Sequence, residues 1–90
     1  MRIETFEWDG KNAGHILRHN VTVDEVEEIF VGAPLCRKAR GGKFLALGQT
    51  LDGRYLFVVL VMKENNSIRP ITARDMTKTE TKSFKKWAGR

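Results

Sequence analysis

The feature that most constrains the fold is an uninterrupted apolar run of eight residues, Tyr55 to Met62. The run is far shorter than the roughly 20 apolar residues that a membrane-spanning helix needs. It also lacks the polar alternation of a half-solvated strand, so it predicts a central strand that is covered on both faces. Asp52-Gly53 predicts a hairpin with a two-residue primed turn before it, and Asn65-Asn66 marks a turn after it.

Further strands are predicted on both sides of this run. Residues 43–50 form the strand before it and residues 68–74 the strand after it. Pro70 cannot donate a hydrogen bond to a ladder, which places that last strand at a sheet edge or at a bulge. Residues 2–8 alternate in polarity and predict a first strand. Residues 32–42 are predicted to form a loop.

A first helix is predicted over residues 10–20. Asp9 is its candidate N-cap, because an aspartate side chain accepts hydrogen bonds from the unpaired N–H groups of the first turn. Asn20 suits the left-handed position after the helix end. The face opposite the apolar stripe is basic and consists of Lys11, His15 and Arg18.

Two further helices begin with the same signal, a capping box. Thr22 with Glu25 starts the second helix, which ends before Pro34, and Thr77 with Glu80 starts the last one. The last helix has basic residues at i, i+4 and i+7, which form a ridge along one face. These residues, called the lysine ridge below, are Lys78, Lys82 and Lys85.

The order of these elements, β-α-α-β-β-β-α, predicts an α+β fold. We expect an antiparallel four-stranded sheet packed against three helices, in one domain over residues 1–90. A single cysteine, Cys36, leaves no intramolecular disulfide, and the first residues lack the pattern of a signal peptide. A cytoplasmic protein with no membrane segment is the expectation.

Positive charge is concentrated in the second half of the chain. Sixteen Lys and Arg against eleven Asp and Glu give a net charge of +5, yet residues 21–31 hold four acids and no base. From Arg37 to Lys86 there are twelve bases and only four acids. A surplus of this kind indicates a polyanionic or acidic partner, with a merely solvated basic surface as the alternative.

Most signatures of catalysis are missing. Gly41-Gly42 lacks the flanking strand and helix of a phosphate-binding loop, and no cofactor motif is present. His15 and His19 have a spacing that can ligate a metal ion, but no acid or cysteine near them completes a set, so we expect no metal. Cys36 is expected to be an unreactive loop or core cysteine.

The remaining candidates are bases around a histidine. RNA is cleaved without metal when its 2′-hydroxyl attacks the adjacent phosphate, which requires a base, an acid and cations for the phosphorane. Histidine suits the proton transfers, and arginine suits the phosphate because its planar fork donates two hydrogen bonds. The candidate residues are Arg18, His19, Lys43, Arg69 and Arg74.

Several stretches, taken in order, resemble the BrnT family. The opening resembles the family pattern "F-x-W-D…K…N…K-H-G-V", and two later stretches resemble its second strand and its "R-x-I-S-A-R…E…Y" ending. The matching residues are Phe6-Glu7-Trp8-Asp9 with Lys11 and Asn12, Leu17-Arg18-His19-Asn20-Val21, Lys43-Phe44-Leu45-Ala46-Leu47-Gly48, Arg69-Pro70-Ile71-Thr72-Ala73-Arg74, Glu80 and Phe84.

The resemblance implies a RelE-like fold and an RNA-cleaving toxin of a bacterial type II toxin–antitoxin system that arrests translation. The implied partners are RNA and a BrnA antitoxin with a ribbon-helix-helix domain, with operator DNA bound only through that antitoxin. Arg18 and His19 take the place of the family's Lys-His pair, and Lys43, Arg69 and Arg74 would stabilise the phosphate. Lys11, His15 and the lysine ridge would bind RNA.

The chain departs from the family pattern in places. Asn20 replaces a glycine, Thr72 a serine and Phe84 a tyrosine. Gly42-Lys43 stands where many members have an acid–base pair, so no carboxylate base is available there. Trp8 either supports the site or packs in the core, and we favour packing. The alternatives to an endoribonuclease are a non-catalytic RNA- or ribosome-binding module and a protein-interaction domain.

Overall fold

A five-stranded mixed sheet lies at the centre of the molecule, with three helices against it. The computed structural model describes residues 3–89. The elements, in chain order, are β1 (Thr5–Phe6), α1 (Gly10–Leu17), α2 (Val23–Val31), β2 (Leu35–Lys38), a single 3-10 turn (Arg40–Gly42), β3 (Lys43–Gln49), β4 (Tyr55–Met62), β5 (Ser67–Asp75) and α3 (Lys78–Trp87).

The prediction of a four-stranded antiparallel sheet is wrong, whereas the α+β class with three helices is confirmed. The strand order is β1-β5-β4-β3-β2. β1 pairs with β5 in parallel, and the other neighbours pair antiparallel. A parallel pair needs a long connection, and here α1, α2 and three strands separate the partners along the chain.

The edge strand β2 explains the wrong strand count, and the first strand is also shorter than predicted. The prediction of a loop over residues 32–42 is wrong for residues 35–38, which form β2 and pair with residues 44–47 of β3. This edge strand is short and carries Arg37 and Lys38, features that protect an exposed edge but hide the strand from pattern analysis. The first strand, predicted over residues 2–8, is reduced to Thr5–Phe6 within the described residues, and residue 2 lies outside them.

The main hydrophobic core lies between the sheet and the helices α1 and α2. On the central strand, Leu56, Val58 and Leu60 are completely buried and face this core. Ile16 of α1 and Ile29 of α2 pack in the same cluster. We call this side of the sheet the inner face. The predicted central position of residues 55–62 is confirmed, because β4 lies third of five strands.

The capping signals locate the helix starts correctly. Asp9, Thr22 and Thr77 are the N-caps of α1, α2 and α3, each with a reciprocal capping box. The end of α1 was predicted three residues too late, because the helix ends at Leu17 and Arg18 is its C-cap. Asn20 has a φ of 61°, so the left-handed conformation predicted there is present. Among the described helices none is long or apolar enough to span a bilayer.

The two predicted turns differ in their chemistry. Asn65 and Asn66 both have positive φ, as in the primed turn that suits a tight hairpin. The prediction of a two-residue primed turn at Asp52-Gly53 is wrong. The ladder between β3 and β4 closes at Gln49 and Tyr55, so the connection is five residues long, and only Gly53 in it has positive φ.

Candidate active site

The face of the sheet opposite α1 and α2, called the outer face here, carries most of the predicted site. Side chains of directly paired residues project to the same face. Arg69 pairs with Val61, which pairs with Lys43, so these three form one row across the sheet. Two strand spacings place the Cα atoms of Lys43 and Arg69 roughly 10 Å apart.

A bulge in β5 brings Arg69 and Arg74 to the same face. Residues five apart on a regular strand face opposite sides, since the side-chain period is two. Pro70 pairs with Leu60 and Thr72 with Val59, so Ile71 is the additional residue of the bulge. The predicted alternative of a bulge at Pro70 is therefore confirmed, and β5 is not an edge strand.

A cleft between α1 and β5 brings together three predicted residues from two elements. Lys11, His15 and Arg69 line a cavity of about 260 Å³ with Asn12 and Ile71. Asn12 is buried, and its Nδ2 donates to the carbonyl oxygens of Glu7 and Pro70 at 2.9 and 2.8 Å. This amide fixes α1 against β5 and thereby sets the width of the α1–β5 cleft.

Of the two histidines, His15 lines this cleft, whereas His19 follows the end of α1 and is not among the lining residues. Nε2 of His15 lies 3.1 Å from Oγ1 of Thr72, within hydrogen-bonding distance. Thr72 pairs with Val59 on the outer face, so His15 reaches the edge of that face. The ring of His19 packs edge-on against that of His15, with centroids 5.3 Å apart. His15 is thus the histidine in direct contact with the sheet.

Arg69 is held by two carboxylates. Its Nη1 lies 3.1 Å from Oε1 of Glu7 and 3.0 Å from Oδ2 of Asp9. The hydrogen bond from Arg69 lowers the pKa of Asp9, and the hydrogen bond to Asp9 raises the pKa of Arg69. Glu7 and Asp9 follow β1, so these contacts direct the guanidinium away from Lys43. A phosphate at Arg69 would have to share it with these acids.

Arg74 lies farther along the outer face and is also paired. Its Nη1 and Nη2 donate to the two carboxylate oxygens of Glu80 at 2.8 and 3.0 Å. The guanidinium carbon lies 4.0 Å from the centroid of the Phe57 ring. Arg74 pairs with Phe57, which is four residues from Val61, so the two arginines lie roughly 13 Å apart along the strands. Arg74 therefore does not share a phosphate-sized spot with Arg69.

The remaining predicted cations occupy separate places. Lys43 is exposed at the start of β3, in the row with Arg69. Arg18 is exposed after α1, and within residues 3–89 it forms no salt bridge. The lysine ridge lines a depression of its own on α3, with Met76, Thr79 and Thr81. The Nζ of Lys85 lies 5.3 Å from the centroid of the Tyr55 ring.

Two features of the site region were missed. Arg54 joins four segments, because it donates to Asn20 O and to the carboxylates of Glu25 and Asp75. No local pattern indicates these contacts, since the partners lie 21 to 34 residues away. Asn12 and Glu80 do have a signal, because both belong to the family pattern, but their predicted roles do not include the amide contacts of Asn12 or the ion pair of Glu80 with Arg74.

Trp8 and Cys36 have structural surroundings. Trp8 is partly buried against the core, and its Nε1 donates to Oε2 of Glu27 at 2.8 Å. Cys36 lies on β2 and not in a loop, and its partial burial raises the pKa of the thiol. Across residues 3–89 no group of three His, Cys, Asp or Glu side chains is arranged to hold a metal ion.

Comparison with known proteins identifies the family to which this chain belongs. Residues 8–80 match the family model described as "Ribonuclease toxin, BrnT, of type II toxin-antitoxin system". The chain belongs to the BrnT family. The match includes α1, the cleft, the bulge and Glu80, and the family assignment made from the sequence is confirmed. No curated protein matches the chain.

A solved structure gives the same fold. The BrnT ribonuclease toxin of Brucella abortus superimposes with a TM-score of 0.66 at 14% sequence identity. The superposition covers 82% of this chain and 97% of the Brucella chain. At this identity the likeness establishes the fold, and the α+β sheet described above is therefore a BrnT fold.

Proposed function

We propose that this BrnT protein is a toxin that cleaves RNA internally, without a metal ion, and so stops translation in the cytoplasm. The observation that carries the proposal is the α1–β5 cleft, where Lys11, His15 and Arg69 line one cavity. These residues supply two cations and a proton-transfer group around a space open to a phosphate. RNA-cleaving chemistry by the 2′-hydroxyl requires such a set.

The proposed reaction uses histidine for its proton transfers. A histidine takes the proton of the 2′-hydroxyl while its oxygen attacks the adjacent phosphorus. The bond from phosphorus to the 5′-oxygen breaks, and a second proton donor protonates that oxygen, which leaves a 2′,3′-cyclic phosphate and a 5′-hydroxyl. The rings of His15 and His19 lie in contact, and under this proposal one acts as the base and the other as the acid. Since no carboxylate precedes Lys43, the histidines carry both proton transfers.

The other predicted residues receive supporting roles in this proposal. Lys43 extends the positive charge across the outer face toward the next phosphate, and Arg18 adds a cation beside His19. Arg74 is assigned a positioning role, because Glu80 and Phe57 hold it roughly 13 Å from Arg69 along the strand. The lysine ridge would bind the RNA backbone outside the cleavage site.

The partner that we propose is a BrnA-type antitoxin. Membership of a type II toxin–antitoxin family implies an antitoxin, and the ribbon-helix-helix domain and its operator DNA follow from the family resemblance. Under this proposal the toxin contacts operator DNA only through the antitoxin.

A cleavage assay tests the catalytic proposal. Purified protein is incubated with a single-stranded RNA in excess EDTA, and the products are examined for cyclic phosphate ends. His15→Ala and His19→Ala are expected to lower the cleavage rate by about 100-fold or more while RNA affinity changes little, because general acid–base groups contribute about 10²–10⁴. Wild-type protein that binds RNA and leaves it intact would contradict the proposal.

A non-catalytic RNA-binding module is the second candidate. It is favoured by the pairing of both arginines, since Arg69 and Arg74 are each engaged by carboxylates. A binder uses cations for affinity alone, and its affinity falls steeply with salt. In that case His15→Ala would behave like Lys82→Ala, with a modest loss of affinity and no product from either variant or from the wild type.

A further inference from the structure

A second pocket on the outer face lies between the sheet and α3. It has a volume of about 190 Å³. Its floor is apolar and consists of Leu45, Leu47 and Phe57, and polar side chains surround its mouth. These rim residues are Arg37, Thr79, Glu80 and Ser83. None of the residues that line the α1–β5 cleft lines this pocket.

From this pocket we infer a site for one unpaired nucleobase of the RNA substrate, a proposal that rests on the function proposed above. The volume lies below the roughly 300 Å³ at which sites for drug-sized ligands begin, so the pocket suits a single ring system. An apolar floor with a few polar groups at the mouth matches a base, which has an apolar face and a polar edge. Single-stranded RNA is recognised mainly through such splayed bases.

The aromatic floor has the composition of a stacking site. Phe57 lies in the floor, and the guanidinium of Arg74 already occupies one face of its ring at 4.0 Å, so a base in the pocket would contact the part of the ring that still lines it. Bases stack on aromatic rings and on arginine planes. Glu80 holds that guanidinium in place through two hydrogen bonds. Arg74 thereby compensates the negative charge of Glu80 at the point where a nucleic acid would approach.

The register of the sheet connects this pocket to the cleft. Thr72 pairs with Val59, Val59 with Leu45, and Leu45 with Arg37, so one row of side chains crosses the outer face. His15 contacts Thr72 at one end of this row, and Leu45 and Arg37 line the pocket at the other. The Cα atoms of Thr72 and Leu45 lie roughly 10 Å apart. A single RNA strand that crosses the outer face at Val59 would therefore contact both the α1–β5 cleft and this pocket.

Arg37 gives the rim its hydrogen-bonding character. It is exposed on β2, and within residues 3–89 it forms no salt bridge, in contrast to Arg69 and Arg74. Its guanidinium is therefore available for the edge of a base or for the phosphate beside it. The hydroxyls of Thr79 and Ser83 complete a rim that both donates and accepts hydrogen bonds.

The test measures the binding of single-stranded octamers of 2′-O-methyl RNA, which lack the attacking hydroxyl and are not cleaved. One octamer is intact, and in each of the others a different position is abasic. For the wild type we expect one position at which loss of the base weakens binding by about five- to 150-fold, the range for one stacked base. The same loss is expected to be absent in Ser83→Phe, whose ring fills the pocket.

Ser83→Ala is the matched control, because it keeps the pocket open at the same position. It should retain the wild-type loss, and Arg37→Ala should reduce that loss without filling the pocket. Residue 83 is exposed on α3, and thermal unfolding of each variant checks that the fold is intact.

Three outcomes overturn the inference. Wild-type protein that cleaves RNA but binds all abasic octamers equally has an active centre and no base pocket. A loss that persists in Ser83→Phe places the base elsewhere on the protein. Protein that neither binds nor cleaves RNA removes the proposed function together with this pocket.

Discussion

The two faces of the central sheet differ sharply, although the same strands build both. On β4, Leu56, Val58 and Leu60 are fully buried on the inner face, whereas Phe57 and Val59 on the outer face are only partly covered. The inner face meets two helices and carries the core, and the outer face meets only α3. Along β4, side-chain alternation thus separates the hydrophobic core from the surface over which we propose that RNA lies.

The strongest way to break this separation is to delete Ile71. The deletion removes the bulge, and Arg69 and Arg74 can then no longer share the outer face. One arginine would be forced into the apolar core at a cost of several kcal/mol, comparable with the stability of a small domain. We expect loss of cooperative thermal unfolding. Ile71→Ala is the control and should unfold cooperatively, and a folded deletion variant would refute this account of the bulge.

A matched pair of substitutions compares the two faces directly. Val58→Ala should lower the free energy of unfolding by about 2 kcal/mol, because it removes two buried carbons and leaves a cavity. Val59→Ala should cost less than about 1 kcal/mol, since its side chain is partly solvated in the native state. Urea titrations of the two variants supply the measurement. Equal losses would mean that the outer face also carries the core.

Removal of a positive charge from the outer face should weaken RNA binding and leave the stability of the protein unchanged. Lys43→Gln is expected to lower the slope of log affinity against log salt by about one, as one phosphate contact is lost. Lys38→Gln is the control, because Lys38 pairs with Phe44 and lies toward the inner side of the edge strand. Binding isotherms between 50 and 200 mM salt would reveal the difference. A larger change in the salt slope for Lys38→Gln than for Lys43→Gln would mean that RNA does not bind the outer face.

The smallest expected effect concerns pH. The hydrogen bond from Arg74 lowers the pKa of Glu80 below its ordinary value of 4.5. The stabilisation is therefore complete above about pH 4.5 and is lost as the pH falls through the lower native value. Glu80→Gln preserves a capping residue and should reduce the loss of stability between pH 5 and 3 by less than about 1 kcal/mol. An unchanged pH profile would show that this ion pair contributes nothing.

Much of the fold could be predicted because its signals are local. Capping boxes at Thr22 and Thr77 and the apolar run of β4 depend on residues close together in sequence, and the structure agrees with them. The parallel pairing of Thr5 with Ser67 joins residues 62 apart, and no local pattern encodes it. Charged β2 was missed for a related reason, since only its pairing with β3 makes it a strand.

The candidate site was predictable in its residue types but not in its grouping. The family pattern pointed to Arg69 and Arg74 together, yet the structure separates them along the sheet. It instead places Arg69 with Lys11 and His15, for which the family resemblance predicts RNA binding alone. The contacts of Glu7 and Asp9 with Arg69 depend on the parallel β1–β5 pairing. Because no local pattern predicts that pairing, these contacts could not be predicted either.

The single extra residue in β5 has a consequence for how this protein can change over time. Replacing Ile71 by another side chain leaves the count of residues between the two arginines intact, so the segment tolerates variety in composition. Deleting or inserting one residue between Arg69 and Arg74 would turn the side chains on one side of the change to the opposite face of the sheet. The spacing between Arg69 and Arg74 is therefore expected to be fixed in length among relatives that share this architecture, even where the intervening letters differ.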